Sequence, residues 1–193
     1  EFVNTVSIDG EKLFFTRRIE YDHKLPQEDL FCFNFVDSTL NALSFNTKFN
    51  EGAIAVSPDG IMCVYTACDR NNSIGGCDLF IRKYISGYGW SQEYNLGENV
   101  NSKKWDTQAS FSPDGKYLYF ISNRDGGVGK DDVWRSEITK DGFMQAENIG
   151  KPVNTKYNEM SPFLHPDNLT LYFSSNGHVG MGDYDIYVAR REK

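Results

Sequence analysis

Three places in the chain set an aromatic ring beside a carboxylate: Phe49 with Glu51, Trp105 with Asp106, and Tyr157 with Glu159. Two carboxyl groups held about 6.5–9.5 Å apart can activate a water and protonate a leaving oxygen across a glycosidic bond. Rings beside them would supply stacking surfaces. A second set of residues is glycine-rich and acidic: GGVGKDD at 126–132 and GMGD at 180–183. A phosphate loop of this kind must open a helix, and a calcium loop needs acidic groups at alternate positions. Neither context is present. Cys63, Cys68 and Cys77 lack the close paired spacing of a zinc ribbon. His23, His165 and His178 are scattered and imply no metal trio, and no serine sits in a Gly-x-Ser-x-Gly elbow. The expectation is a protein that is not an enzyme and needs no cofactor or metal.

The same residues read differently once the chain is compared with itself. Ser7-Ile8-Asp9-Gly10, Ser57-Pro58-Asp59-Gly60, Ser112-Pro113-Asp114-Gly115 and His165-Pro166-Asp167-Asn168 are one motif, with steps of 50, 55 and 53 residues. Each copy is followed by a strand-like run (KLFFT, MCVYT, YLYFI, LYFSS), a polar loop, and an Asp leading an apolar-aromatic pair at 29–31, 78–80, 132–134 and 185–187. Upstream, Asn46-Thr47-Lys48, Asn101-Ser102-Lys103 and Asn154-Thr155-Lys156 precede each ring-carboxylate corner.

A period near fifty residues with three or four short strands per unit predicts a β-propeller of four-stranded antiparallel blades. The blades fall at about 1–43, 44–96, 97–149 and 150–193, and almost no helix is expected because no stretch keeps a 3.6-residue apolar period. Strand A precedes the turn, as in Ala53–Ser57; strand B follows it, as in Lys116–Ser122; strand C carries the Asp-apolar-aromatic triplet. Strand D lies around Asn95-Leu96-Gly97 or Asn148-Ile149-Gly150.

In this frame each repeated residue has a structural use. Pro fixes φ in the turn, Asp accepts from the turn's own amides, and Gly takes the left-handed position, which Asn168 fills in the last copy. The glycine three before each strand-C Asp (Gly75, Gly129, Gly182; Pro26 in the first copy) reads as part of a B–C hairpin. The turn lacks the further Gly and Trp of a sialidase Asp-box. The ring-carboxylate corner lies at one rim of the central channel. It is either a ligand-binding mouth, or a set of rings wedged between blades with carboxylates capping backbone turns. Arg17-Arg18, Arg70 and Arg124 follow strand B and read as a solvated salt-bridge face.

Cys68 and Cys77 occur in the second blade alone, at the two ends of the hairpin loop DRNNSIGG. Such ends lie within disulfide reach. A Cys68–Cys77 bond is predicted, worth roughly 2–3 kcal/mol for a loop of this length. Cys32 and Cys63 lie mid-strand and read as small buried hydrophobes.

Composition narrows the partners. With 15% aromatics, a formal charge of −7 and pI near 5.0, a general nucleic-acid surface is not expected. No apolar run approaches the ~20 residues of a membrane span.

The strings TACDRNNSIGGCDLF, NVNSKKWDTQASFSPDGKYLYFISNRDGGVGKDDVW and PVNTKYNEMSPFLHPDNLTLYFSSNGHVGMGDYDIY resemble WD40-like, TolB-type propeller repeats. More narrowly, they are similar to the propeller of Bacteroidota OmpA-family lipoproteins, a plan shared with a component of the type IX secretion system. The resemblance implies a periplasmic, outer-membrane-associated protein that acts by binding envelope proteins. Peptidoglycan would be reached only through an OmpA-like domain outside these residues. The chain stops just after strand C of its fourth copy, so an incomplete propeller with further blades in the full protein is expected. Two functions follow: a non-catalytic interaction scaffold, or a glycan-binding or glycoside-hydrolysing propeller using carboxylates at the channel mouth.

Overall fold

The computed structural model describes residues 2–7, 9–20 and 25–192. All of its regular structure is strand. The first sheet holds β1 (Phe2–Val6), β2 (Lys12–Ile19), β3 (Gln27–Asn34) and β4 (Thr39–Ala42). The second holds β5 (Glu51–Val56), β6 (Met62–Cys68), β7 (Cys77–Ile85), β8 (Gly89–Trp90) and β9 (Tyr94–Asn95). The third holds β10 (Asp106–Phe111), β11 (Tyr117–Ser122), β12 (Asp132–Thr139), β13 (Gly142–Phe143) and β14 (Glu147–Asn148). The fourth holds β15 (Glu159–Leu164), β16 (Thr170–Ser175) and β17 (Asp185–Arg190). All pairings within the sheets are antiparallel and strands A, B and C pair in chain order, giving four blades of a β-propeller.

Strand D differs from its expected form. In the second and third blades it is split: β8 and β13 pair with the far end of strand C, and β9 and β14 with its middle. Strand A starts earlier than expected, at the carboxylates Glu51, Asp106 and Glu159.

The apolar runs of strands B and C are continuous because both faces of a blade are covered. From β6, Cys63, Tyr65 and Ala67 pack towards Phe14 and Leu30 of the first blade. Val64, from the same strand, packs towards Phe111, Leu118 and Phe120 of the third. Tyr119, Ile121 and Val133 of the third blade meet Leu164, Leu171 and Phe173 of the fourth. Fully burying a side chain such as Phe80 or Phe120 stabilises by about 1.5–3 kcal/mol. Truncating Leu30, Leu79 or Val133, each fully buried on strand C, would open a hole between two sheets.

The A–B turns close as their chemistry requires. Gly60 donates to the Ser57 carbonyl at 2.8 Å with φ of 72°, and Asp59 accepts from the Ile61 amide at 3.0 Å. Asn168 takes the same left-handed position with φ of 56° and donates to the His165 carbonyl at 2.9 Å. Ile8 and His23 lie outside the described residues. Strand A carries a bulge in each of the last three blades, at Ala53, Gln108 and Ser161, with φ of 51°, 52° and 53°. The bulge turns an amide towards the preceding blade. Ala53 donates to the Thr16 hydroxyl at 2.9 Å and Gln108 to that of Thr66 at 3.3 Å. The third blade has Ile121 where a threonine would stand, and the Ser161 amide donates to the Gln108 side chain instead, at 2.8 Å.

Candidate binding face

The D–A corners meet the B–C loops of the second and third blades at one end of the sheets: Gly76 donates to the Lys104 carbonyl and Lys130 to the Tyr157 carbonyl. There the strand-A carboxylate closes a turn made by its own Asn-(Ser/Thr)-Lys segment. Glu51 accepts from the Thr47 amide at 3.1 Å and hydroxyl at 2.6 Å. Asp106 accepts from the Ser102 amide at 2.6 Å and hydroxyl at 2.8 Å. Glu159 accepts from the Thr155 amide at 2.9 Å and hydroxyl at 2.7 Å. All three carboxylates have 0% exposure, so none can touch a ligand in this conformation. A buried carboxylate needs a partner. Arg70 pairs with Glu51, and Arg124 with Asp106 at 2.5 Å. In the fourth blade Gly177 stands where Arg124 would be, and the Ser175 hydroxyl donates to Glu159 at 2.7 Å.

The solvated-face expectation is corrected, and of the two readings of the corner the carboxylates follow the capping one while the rings are not wedged between blades. Arg70 and Arg124 are not a solvated face: their side chains are 6% and 10% exposed, drawn inward by the carboxylates. The carboxylates are not at the mouth, because the turn they cap lies between blades. The rings separate from them. Trp105 is 61% exposed, Tyr157 is 40% exposed and Phe49 is half-buried. Lys48 and Lys156 lie over the rings of Phe49 and Tyr157, at 5.1 and 4.9 Å from the centroids.

The asparagines of the same segment carry a role that the spacing did not disclose. Asn101 reaches into the preceding blade, accepting from the Leu79 amide and donating to the Leu79 carbonyl, both at 2.9 Å. Asn154 brackets Val133 and Asn46 brackets Leu30 in the same way. The loop glycines complete the fit. A β-carbon on Gly75 would overlap the carbonyl oxygens of Ser102 and Lys104, and one on Gly129 those of Thr155 and Tyr157.

The Cys68–Cys77 disulfide is present, joining directly opposed residues of β6 and β7 with Cα atoms 4.1 Å apart. It stands at a register position where the third and fourth blades use asparagine. Asn123 and Asn176 there accept from the amides of Trp105 and Asn158 at 3.0 Å. The Trp105 ring lies over Gly76, beside the disulfide, so a β-carbon on Gly76 would overlap the indole. Cys63 is buried, which pushes its thiol up to about 12, and Cys32 is half-buried.

A cleft of about 910 Å³ opens between the inner strands, lined in part by Glu28, Trp105, Gln108, Asp131 and Phe163. Burial, with Asp132 and Glu159 nearby, raises the Asp131 carboxyl above its ordinary value despite Lys130. Glu28, Gln108 and Asp131 were not singled out from the sequence. They occupy repeat positions whose residue types change from blade to blade, so the repeat gives them no signal. Among the described residues no group of three or more His, Cys, Asp or Glu is placed to hold a metal ion.

No family model and no curated protein matches the sequence. Solved structures share the fold. TolB from Acinetobacter baumannii superposes with a TM-score of 0.64 at 18% identity, over 96% of this chain and 39% of that one. A putative TolB from Agrobacterium tumefaciens gives 0.62 at 21% identity, over 88% of this chain and 52% of that one. An endo-arabinase from Bacteroides thetaiotaomicron gives 0.59 at 8% identity, over 99% of this chain and 74% of that one. The chain thus spans about two fifths to one half of the two TolB structures, and what it shares with all three is the β-propeller fold.

Proposed function

We propose that the chain is a protein-interaction module of the bacterial envelope, working in the periplasm through the face that carries the D–A corners. The observation that carries this reading is the separation of each corner into a buried carboxylate and an outward ring. The carboxylates are consumed in closing their own corner turns and pairing within the blade, while Trp105 and Tyr157 offer rigid aromatic anchors on a preorganised surface. A disulfide clamps the adjacent loop, which suits an oxidising compartment. The repeat strings and the TolB-type fold support a place in an outer-membrane-associated protein of the OmpA-family plan, including that of the type IX secretion system. The partners are envelope proteins, bound without catalysis.

The test is a photo-crosslinking residue placed at position 105 or 157 in living cells. Position 88, at the opposite end of the second blade and 89% exposed, serves as control. Cross-links to envelope proteins from 105 and 157 and not from 88 are expected. Equal labelling from both ends, or none, contradicts the proposal.

A second reading is favoured by the cleft, whose lining includes Trp105 and two carboxylates, Glu28 and Asp131, that are outside the corner ion pairs. This is a glycan-binding or glycoside-hydrolysing propeller. It predicts saturable binding of oligosaccharides that is lost in Trp105→Ala and Asp131→Asn alike.

A further inference from the structure

The outer face of the fourth blade differs from its counterparts in exposure and not in chemistry. Ile186 follows the strand-C Asp as Leu30, Leu79 and Val133 do. Those three are fully buried by the next blade, whereas Ile186 is 81% exposed. Val188 and Phe163 on the same sheet are 61% and 55% exposed. The polar end of the face is already shaped. Asp185 accepts from the Met181 amide at 2.7 Å and the Gly182 amide at 3.3 Å. Asp78 holds Ile74 and Gly75 in the same way, and Asp132 holds Val128 and Gly129.

Gly182 is the informative residue. Its equivalents Gly75 and Gly129 are glycine because the next blade's Asn-(Ser/Thr)-Lys loop passes where a β-carbon would be. A β-carbon on Gly182 would meet nothing within 4 Å, and its φ is not left-handed. Neither conformation nor contact among the described residues calls for glycine there. The Ile186 backbone completes the vacant socket: no asparagine brackets it among the described residues, and β17 has no fourth strand beside it.

We propose that this face, with the Gly182 slot at its end, is the docking site for a fifth repeat of the same kind. The occupant is recognised by an Asn-(Ser/Thr)-Lys loop whose asparagine brackets Ile186. Its apolar strand-B residues cover Ile186 and Val188, and its backbone carbonyls run past Gly182. A second copy of this chain does not fit, since Asn46, Asn101 and Asn154 are all engaged in their own inter-blade brackets.

The test compares two chains: residues 1–193, and the same chain extended after Arg190 by a copy of residues 138–193. Gly182→Ala is expected to leave the urea midpoint of the parent unchanged. In the extended chain it should lower the midpoint by more than about 0.5 M, as Gly129→Ala does in both. Hydrogen exchange at the Ile186 amide gives a readout that does not depend on stability: fast in the parent, slowed in the extension, and fast again when the appended asparagine is replaced by alanine. An appended repeat that leaves Ile186 exchanging freely overturns the proposal. So does a Gly182→Ala effect of equal size in both chains, or a parent that dimerises with Ile186 protected.

Discussion

The side-chain amide of Asn154 sits 2.9 Å from both the N–H and the C=O of Val133, one blade away. It does for two blades what a strand hydrogen bond does within one. Both partners are buried, so removing the amide strands a backbone donor and acceptor away from water. Asn154→Ala should cost about 2–6 kcal/mol, since each of the two unsatisfied buried groups costs about 1–3. Urea unfolding checks this.

The disulfide and the two thiols give a second prediction. Reducing Cys68–Cys77 should lower stability by roughly 2–3 kcal/mol and loosen loop 69–76 while the fold persists. Alkylation of the native protein should modify Cys32 and spare Cys63, whose thiol burial holds in the protonated form. Mass spectrometry of the alkylated protein reads both outcomes.

The turn aspartates make stability depend on acid. The Ser57 hydroxyl and Ile61 amide hold Asp59 below its ordinary 3.8. At Asp114 burial pushes upward, but hydrogen bonds from Ser112 and Lys116 outweigh it and the carboxyl is also lowered. A lowered folded value means that the contribution is fully present above the unfolded value and disappears as pH falls through the folded one. Stability should therefore hold down to the ordinary carboxylate value of about 4 and decline as pH falls below it. Unfolding curves of an Asp59→Asn, Asp114→Asn double variant should show a shallower decline.

Much of this fold was legible because its logic is periodic. The Ser-x-Asp-Gly turn, the strand-C triplet and the Cys pair each carry a local physical meaning, and the blades and the disulfide followed from them. What stayed hidden depends on which neighbour a residue meets. Arg70 and Arg124 look like surface charges until the carboxylate one strand away draws them inside. Asn101 looks like a turn residue until Leu79 of another blade is placed against it. The corner pairs were visible as pairs. Their division into buried acid and exposed ring was not, because each ring lies in the corner before strand A while the acid opens the strand, and the sequence does not say which of the two has water.

The account rests on the corner carboxylates serving architecture while the rings beside them serve recognition, and the neighbours Trp105 and Asp106 separate the two roles most directly. Urea unfolding of Asp106→Ala should show a loss of about 3–5 kcal/mol, because Arg124 is left buried without its counter-charge. Trp105→Ala should stay within about 1 kcal/mol of the parent, as expected for an exposed ring. An Asp106→Ala protein as stable as the parent, or more stable, would mark a carboxylate kept for chemistry at a cost to the fold, and would contradict the account.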